Sequence, residues 1–94
     1  MNKPRTLFRI HAVQRMFERD ISLAKVYQAL QSGEVLEDYY TDMPEPSRLL
    51  LGFQGKRPFH VVISEDLRTK VMTVITVYLP DRGKWDKTSR QRRS

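Results

Sequence analysis

The chain has 94 residues, no cysteine, two histidines and a formal net charge of +6 at pH 7. This length predicts one small domain with a modest core, to which a homo-oligomer or a partner could add stability. The absence of cysteine excludes a disulfide framework and a thiolate metal site, and it suits a reducing compartment. Two histidines are too few for a zinc site without carboxylates at matching spacing, so we expect no metal and no cofactor.

The positive charge is concentrated at the C-terminus. Residues 82–94 contain six basic residues and one acidic residue, a net +5, whereas residues 1–81 contain eleven basic and ten acidic residues. We therefore divide the chain into a single domain, 1–81, and a basic C-terminal tail, 82–94. No apolar run approaches 18 residues and the N-terminus lacks a signal-peptide core, which predicts a cytoplasmic protein without membrane contact.

The first predicted element is a helix over residues 10–19. Ile10, Val13 and Phe17 recur at helical spacing, and we expect this face to point toward the core. The opposite face carries four polar residues, which are His11, Arg15, Glu18 and Arg19.

This polar face has two interpretations. An imidazole beside two guanidinium groups suits phosphate chemistry, because arginines hold phosphate oxygens in bidentate fashion while histidine moves a proton near neutral pH. Alternatively, the helix is amphipathic and its solvent-exposed face carries ordinary charge pairs four residues apart.

A second helix follows closely. Ser22 is a favourable N-cap, and Leu23, Val26 and Tyr27 begin an apolar pattern at helical spacing. Gly33 provides the end of this helix. The sequence therefore predicts two short N-terminal helices.

After Gly33 the apolar pattern changes to a period of two. Strands are predicted over 35–40, 48–54, 59–65 and 71–79, separated by turn signals. The short turns require antiparallel neighbours. These elements predict an α+β fold in which two N-terminal helices pack on a four-stranded antiparallel sheet.

Alternation within the strands separates two faces of this sheet. We expect one apolar set to pack on the helices: Leu49, Leu51, Phe53, Phe59, Val61, Ile63, Val71, Ile75, Val77 and Leu79. The opposite face would carry Arg48, His60, Thr76 and Tyr78, and a simple meander would bring His60 near Tyr78. This open face is either a site surface or an ordinary solvated face on which Tyr78 covers its apolar neighbours.

The basic tail is a candidate RNA-binding segment. Arg82 and Lys84 could bind RNA phosphates through counterion release, and Trp85 could stack on a base. A disordered solubilising end is the alternative. The acidic residues between Gly33 and Pro46 would repel nucleic acid, and they could instead dock the tail of the same chain or contact another protein; they are Glu34, Glu37, Asp38, Asp42 and Glu45.

Several motifs in order, HAVQRMFERDIS, PEPSRLLLGF, FHVVIS and ITVYLPDRGKW followed by the arginine tail, resemble bacterial proteins of the domain-of-unknown-function 4258 family from Ile10 to Arg93. The resemblance implies a ribonuclease fold of the RelE, barnase and colicin type. It also implies a toxin of a bacterial toxin–antitoxin pair, whose partner is a small zinc-finger or helix-turn-helix antitoxin. The family pattern falls on His11, Arg15, Glu18, Arg19, His60, Thr76, Tyr78 and Trp85.

One departure bears on the activity. The sheet of RelE toxins carries many basic residues, whereas only Arg48 is basic on the predicted open face. This difference puts ribosome-dependent cleavage in doubt more than RNA cleavage in general.

The leading hypothesis is a metal-independent endoribonuclease in which the RNA 2′-hydroxyl attacks the adjacent phosphate. His60 and His11 are the candidate base and acid in unassigned order, with Tyr78 as a substitute proton donor. Arg15 and Arg19 would stabilise the phosphate and Glu18 would orient one of these cations. The first helix must then lie at the sheet edge. The alternative is a non-catalytic module that binds protein, or RNA through its tail.

Overall fold

The computed structural model describes residues 5–39 and 46–92, so Tyr40, Asp42, Glu45 and Arg93 lie outside the described residues. Its elements, in chain order, are β1 (Arg5–Phe8), α1 (Ile10–Glu18), α2 (Leu23–Ser32), β2 (Glu34–Tyr39), β3 (Ser47–Gln54), β4 (Arg57–Asp66) and β5 (Val71–Tyr78). The two helices and the strands β2 to β5 agree with the predicted elements to within two residues at each end. Neither helix is long and apolar enough to cross a lipid bilayer.

The strands form one five-stranded mixed sheet in the order β1-β5-β4-β3-β2. Strands β2 to β5 form the predicted antiparallel meander. The prediction of a four-stranded, purely antiparallel sheet is wrong, because β1 adds a fifth strand parallel to β5, from Arg5 opposite Val71 to Phe8 opposite Val74. Four residues are too few to show a reliable period of two, so only pairing with β5 identifies β1 as a strand.

Helix α2 confirms its predicted N-cap and its end at Gly33. Of the predicted apolar residues, Val26 is buried, whereas Leu23 and Tyr27 are exposed. The Ser22 hydroxyl accepts a hydrogen bond from the Lys25 amide at 3.2 Å, and Val26 and Ala29 are buried. The helix lies close to β3 because Gly52 has no side chain. A Cβ atom at Gly52 would lie 2.8 Å from the Cβ of Ala29, a separation at which the helix could not remain in place.

The predicted orientation of α1 is wrong. Ala12 and Met16 are the buried residues of this helix, whereas Ile10, Val13 and Phe17 are 70%, 49% and 89% exposed. The apolar residues of α1 form one broad arc, with Ala12 and Met16 at one edge and Ile10 and Phe17 at the other, so periodicity alone does not select which edge is buried. The small Ala12 allows α1 to approach β5 closely, and Met16 packs in the core beside it, while the other apolar side chains turn toward solvent.

This orientation creates an exposed apolar surface between the two helices, which we call the α1–α2 surface. A groove of about 400 Å³ runs along it. Its lining consists of Phe8, Val13, Met16, Phe17, Ile21, Leu23 and Tyr27.

The core between helices and sheet differs from the predicted apolar set in β3 and β5. On β4 the predicted Phe59, Val61 and Ile63 do pack in this core. On β3, Leu50 faces the helices while Leu49 and Leu51 face away, the reverse of the expectation. All three leucines are buried, so both faces of β3 are covered. The sequence of β3 therefore does not indicate which of its side chains point toward the helices.

The alternation of side chains between the two faces of the sheet is interrupted within strand β5. Val62 is opposite Thr76 but Ile63 is opposite Val74, so Ile75 is an extra residue in the ladder. This bulge turns Val74 toward the helices together with Val77. The predicted placement of Ile75 in a regular alternation with Val77 is therefore wrong, because a bulge leaves no trace in an apolar run.

A pair of substitutions checks the orientation of α1. Met16→Ala should lower the free energy of unfolding by about 2 to 5 kcal/mol, because it leaves a cavity in the core. Phe17→Ala should change it by less than about 0.5 kcal/mol, because the ring is exposed. Urea unfolding followed by circular dichroism measures both. A larger loss for Phe17→Ala than for Met16→Ala would contradict the observed orientation.

Candidate functional site

Two rows of residues cross the sheet face that points away from the helices. Strand pairing aligns Glu34 with Leu51, Leu51 with His60, and His60 with Tyr78. The adjacent row on the same face contains Glu37, Leu49, Val62 and Thr76. We call this surface the tail face, because residues 85–92 of the C-terminal tail lie against it.

His60 is completely buried on the tail face. Its Nε2 lies 2.7 Å from the carbonyl oxygen of Ser89, and its Nδ1 lies 3.2 Å from the hydroxyl oxygen of Tyr78. A carbonyl can only accept, so Nε2 carries the proton and donates it to Ser89. The Tyr78 hydroxyl then donates to Nδ1, and His60 is a neutral imidazole with both nitrogens engaged.

Burial has opposite effects on the two pKa values of this pair. Burial lowers the pKa of His60 below its ordinary value of 6.5, although the hydrogen bond to Ser89 opposes the shift. Burial raises the pKa of Tyr78 above 10.0. Both effects favour the neutral form, so the pair is uncharged near pH 7.

The tail covers His60 with an aromatic ring. The centroid of the Trp85 ring lies 4.5 Å from that of His60, with the planes nearly perpendicular, and Trp85 is 3% exposed. The guanidinium of Arg92 lies 4.7 Å from the centre of the Trp85 ring. In this structure Trp85 is therefore part of the fold, with no exposed face on which a base could stack. The expectation that this sheet face is open is wrong.

Two arginines of the tail pair with the acidic strand β2. Arg92 donates to both carboxylate oxygens of Glu37, at 2.9 and 3.0 Å. Arg90 donates to Glu34 at 3.0 Å. Of the alternatives that the sequence left open for this segment, docking of the tail of the same chain is the one observed for Glu34 and Glu37. Asp38 instead pairs with Arg48.

A second group of residues forms a pocket beside β5, which we call the arginine pocket. Strand β1 ends opposite Val74, where the amide of Arg9 donates to the Val74 carbonyl at 3.0 Å. The chain then enters α1, while β5 continues past the end of β1. A pocket of about 330 Å³ results, lined by Arg15 and Arg19 of α1 and by Thr76, Val77, Tyr78 and Leu79.

The arginine pocket brings four of the predicted catalytic residues together: Arg15, Arg19, Thr76 and Tyr78. His11 is exposed and does not line the pocket. Glu18 lies 3.7 Å from Arg15, with both side chains more than half exposed, so this pair is a weak, solvent-screened contact. Neither histidine lines the arginine pocket, and His60 is hydrogen-bonded to Tyr78, which does line it.

Arg48 lies on the opposite side of the sheet from His60. Strand register places it two residues from Leu50, on the face that packs against the helices. Its guanidinium lies 3.8 Å from Asp38 and 3.5 Å from Glu65. The predicted placement of Arg48 beside His60 is wrong, for the same reason that the directions of the β3 leucines are reversed.

A larger cleft, which we call the basic cleft, lies between the β3–β4 turn and the tail. Its volume is about 730 Å³. Five cationic side chains line it, Lys56, Arg57, Arg82, Lys87 and Arg90, together with apolar Phe53, Pro58, Leu79 and Pro80. Of the predicted RNA-binding residues, Arg82 lies here, whereas Lys84 is exposed outside the lining.

Sequence reasoning did not single out Ser89, Arg90 or Arg92 as site residues. One signal was present in the segment DKTS. An aspartate side chain often forms a turn by accepting a hydrogen bond from the backbone amide of the second residue after it. The Asp86 carboxylate accepts hydrogen bonds from the amide and hydroxyl of Thr88 at 3.0 and 2.7 Å. That turn presents the Ser89 carbonyl to His60, a contact that only the tertiary structure reveals.

No three histidine, aspartate or glutamate side chains within 5–39 and 46–92 come together closely enough to hold a metal ion.

The buried state of His60 predicts a pH dependence of stability. Its pKa is lower in the folded chain than in the unfolded chain, so the unfolded chain binds more protons as the pH falls through 6.5. The free energy of unfolding should therefore decrease between about pH 7.5 and about pH 5.5, at most by ~1.4 kcal/mol per unit of pKa difference. Urea unfolding at both values measures this change.

A substitution of the buried histidine checks this assignment. His60→Gln should flatten the dependence. An NMR titration of the His60 ring protons in the parent gives a second readout that does not depend on the variant folding. A midpoint above 6.5, or an unchanged dependence in folded His60→Gln, would contradict the assigned tautomer and burial.

Comparison with known proteins gives one match. The family model described as Domain of unknown function (DUF4258) matches residues 8–79, which is more than half of the chain. No curated protein and no solved structure matches the chain. The matched region contains both helices, strands β2 to β5, His60 and the arginine pocket, and it ends before Trp85. The chain therefore belongs to the DUF4258 family.

Proposed function

We propose that this protein is an endoribonuclease that cleaves RNA by attack of a 2′-hydroxyl on the adjacent phosphate, without a metal ion. The observation that carries the proposal is the arginine pocket, which Arg15 and Arg19 of α1 line together with Thr76 and Tyr78 of β5. Guanidinium groups hold phosphate oxygens and stabilise the charge that develops on a pentavalent phosphate. Arg15 and Arg19 would hold the phosphate at which cleavage occurs.

Tyr78 and His60 would move the proton. The Tyr78 hydroxyl donates to neutral His60, so its oxygen can accept the proton of the RNA 2′-hydroxyl. As the bond between the 2′-oxygen and phosphorus forms, Tyr78 would pass its own proton to Nδ1 of His60. The bond from phosphorus to the 5′-oxygen breaks, and the 5′-oxygen takes a proton from water. His60 then returns its proton through Tyr78 to the hydroxide left by that water, which restores the neutral pair. The products are a 2′,3′-cyclic phosphate and a 5′-hydroxyl.

In this route His60 is a positioning and proton-accepting residue that does not touch RNA. This assignment differs from the sequence hypothesis, in which His11 and His60 act as an acid–base pair. The burial of His60 and the position of His11 outside the pocket favour Tyr78 as the group that contacts the substrate.

The wider proposal is a toxin of a bacterial toxin–antitoxin pair with a fold similar to RelE and barnase, and a small zinc-finger or helix-turn-helix antitoxin as its partner. Two helices followed by an antiparallel meander agree in outline with that resemblance. The α1–α2 surface supports a protein partner, because exposed apolar patches of this kind are typical of interaction sites.

A second candidate function is RNA binding without cleavage. Two observations favour it: both nitrogens of His60 are engaged in structural hydrogen bonds, and the basic cleft is larger than the arginine pocket. A cleavage assay distinguishes the two functions.

The test is cleavage of a mixed-sequence RNA in the presence of EDTA, with the fragment ends mapped. The parent should leave 2′,3′-cyclic phosphate ends. Tyr78→Phe should slow cleavage by about 100- to 10,000-fold, because it removes the proton-transfer group. Arg15→Ala should slow it by about 100- to 1,000-fold, because it removes charge stabilisation at the phosphate.

Two substitutions outside the pocket serve as matched controls. Tyr27→Phe removes the hydroxyl of an exposed tyrosine on α2, and Arg5→Ala removes an exposed arginine on β1; both should cleave at the parent rate. Full-rate cleavage by a Tyr78→Phe, Arg15→Ala double variant would refute the assigned site. Absence of cleavage by the parent, on free RNA and on translating ribosomes, would favour RNA binding without catalysis.

A further inference from the structure

The basic cleft has an excess of positive charge that its single carboxylate does not neutralise. Five cationic side chains face one acid, Asp86. The Asp86 oxygen Oδ1 already accepts hydrogen bonds from Thr88 and Arg90, and these bonds lower its pKa. The carboxylate is thus engaged in holding the tail turn. The cleft presents an electrostatic environment that attracts an anionic ligand.

Two of the cations have no competing partner among the described residues. Arg90 pairs with Glu34, and Arg57 donates to the Asp20 carbonyl at 2.7 Å. Lys56 and Lys87 are exposed and make no ion pair or side-chain hydrogen bond with residues 5–39 or 46–92. They lie on opposite sides of the cleft, Lys56 in the β3–β4 turn and Lys87 in the tail.

The cleft also has an apolar lining beside these charges. Phe53 is 43% exposed, and Pro58, Leu79 and Pro80 also line the cleft. Lysines alone would suit any polyanion. A ring beside cations suits a ligand that alternates phosphates with flat bases, because bases stack on aromatic side chains at any sequence.

The basic cleft and the arginine pocket share one residue. Leu79, which follows the last residue of β5, lines both. A chain of phosphates that leaves the cleft across Leu79 would therefore reach Arg15, Arg19 and Tyr78. A volume of about 730 Å³ accommodates a few nucleotides of one strand and is too small to enclose a duplex.

We propose that the basic cleft binds the backbone and bases of single-stranded RNA and leads the strand across Leu79 into the arginine pocket. The inference rests on the proposed function, since it names the form of the substrate and its path to the same site. An acidic protein segment is the competing ligand. The exposed Phe53 ring beside the two lysines favours RNA over it.

The test measures binding of a fluorescently labelled, unstructured RNA of about 12 nucleotides to the full chain carrying Tyr78→Phe, so that cleavage does not interfere. Adding Lys56→Ala and Lys87→Ala should weaken binding by about tenfold or more near 0.1 M salt. It should also flatten the slope of log K against log salt by about 1 to 1.5 units, since two phosphate contacts are lost. Adding Phe53→Ser instead should weaken binding by about tenfold with little change in slope.

A charge-matched control removes Arg5 and Arg68, two exposed arginines outside both linings. It should bind within about twofold of the parent, apart from the general effect of net charge. Thermal unfolding verifies that each variant is folded. Equal losses in the cleft variant and this control would overturn the proposal, as would equal affinity for duplex RNA or for an acidic peptide of the same charge.

The outcome separates this inference from the proposed function. If the parent cleaves RNA but the cleft variants bind and cleave normally, the path is wrong and the catalytic assignment stands. If the parent binds single-stranded RNA through Lys56, Lys87 and Phe53 but never cleaves, the cleft stands and the catalytic assignment falls.

Discussion

The hydrogen bond from His60 to the Ser89 carbonyl is the contact on which the tail face depends. It joins the middle of β4 to the C-terminal tail, with Trp85 packed against the imidazole. Breaking it would leave the buried Nε2–H group of His60 and the Ser89 carbonyl without a partner, which costs more than the bond itself contributes. Residues 85–92 of the tail are therefore part of the folded structure, and His60 binds them through the Ser89 carbonyl.

The same contact organises both proposed sites. His60 accepts a hydrogen bond from the hydroxyl of Tyr78, a residue that also lines the arginine pocket. The anchored tail also supplies one wall of the basic cleft, including Lys87 and Arg90. The family match ends at residue 79, so this wall lies beyond the matched region, whereas Lys56, Arg57 and Phe53 on the other wall lie within it.

Periodic patterns predicted the helices and strands well. They predicted less consistently which face of each element packs in the core. Helix α2 and strands β2 to β5 were identified from capping, turn and apolar signals, and β4 was oriented correctly. Three cases failed because the apolar pattern was degenerate. Helix α1 has a broad apolar arc of which only one edge is buried, β3 contains three successive leucines, and β5 carries a bulge. Of the site, the proximity of His60 and Tyr78 was predictable from the meander, as was the shared face of Arg15 and Arg19.

By itself, the sequence determined the α+β class, the antiparallel meander, the family and the types of side chain available for phosphate chemistry, because these follow from local periodicity, turns and motifs. Only the tertiary structure decided that β1 pairs in parallel with β5, that His60 is buried beneath the tail, and that Arg15 and Arg19 line one pocket with Thr76 and Tyr78. The physical reason is that burial and side-chain proximity depend on contacts between segments distant in the chain. Those contacts depend on the small side chain of Ala12, on the Ser89 carbonyl that accepts from His60, and on the pairing of the short edge strand β1.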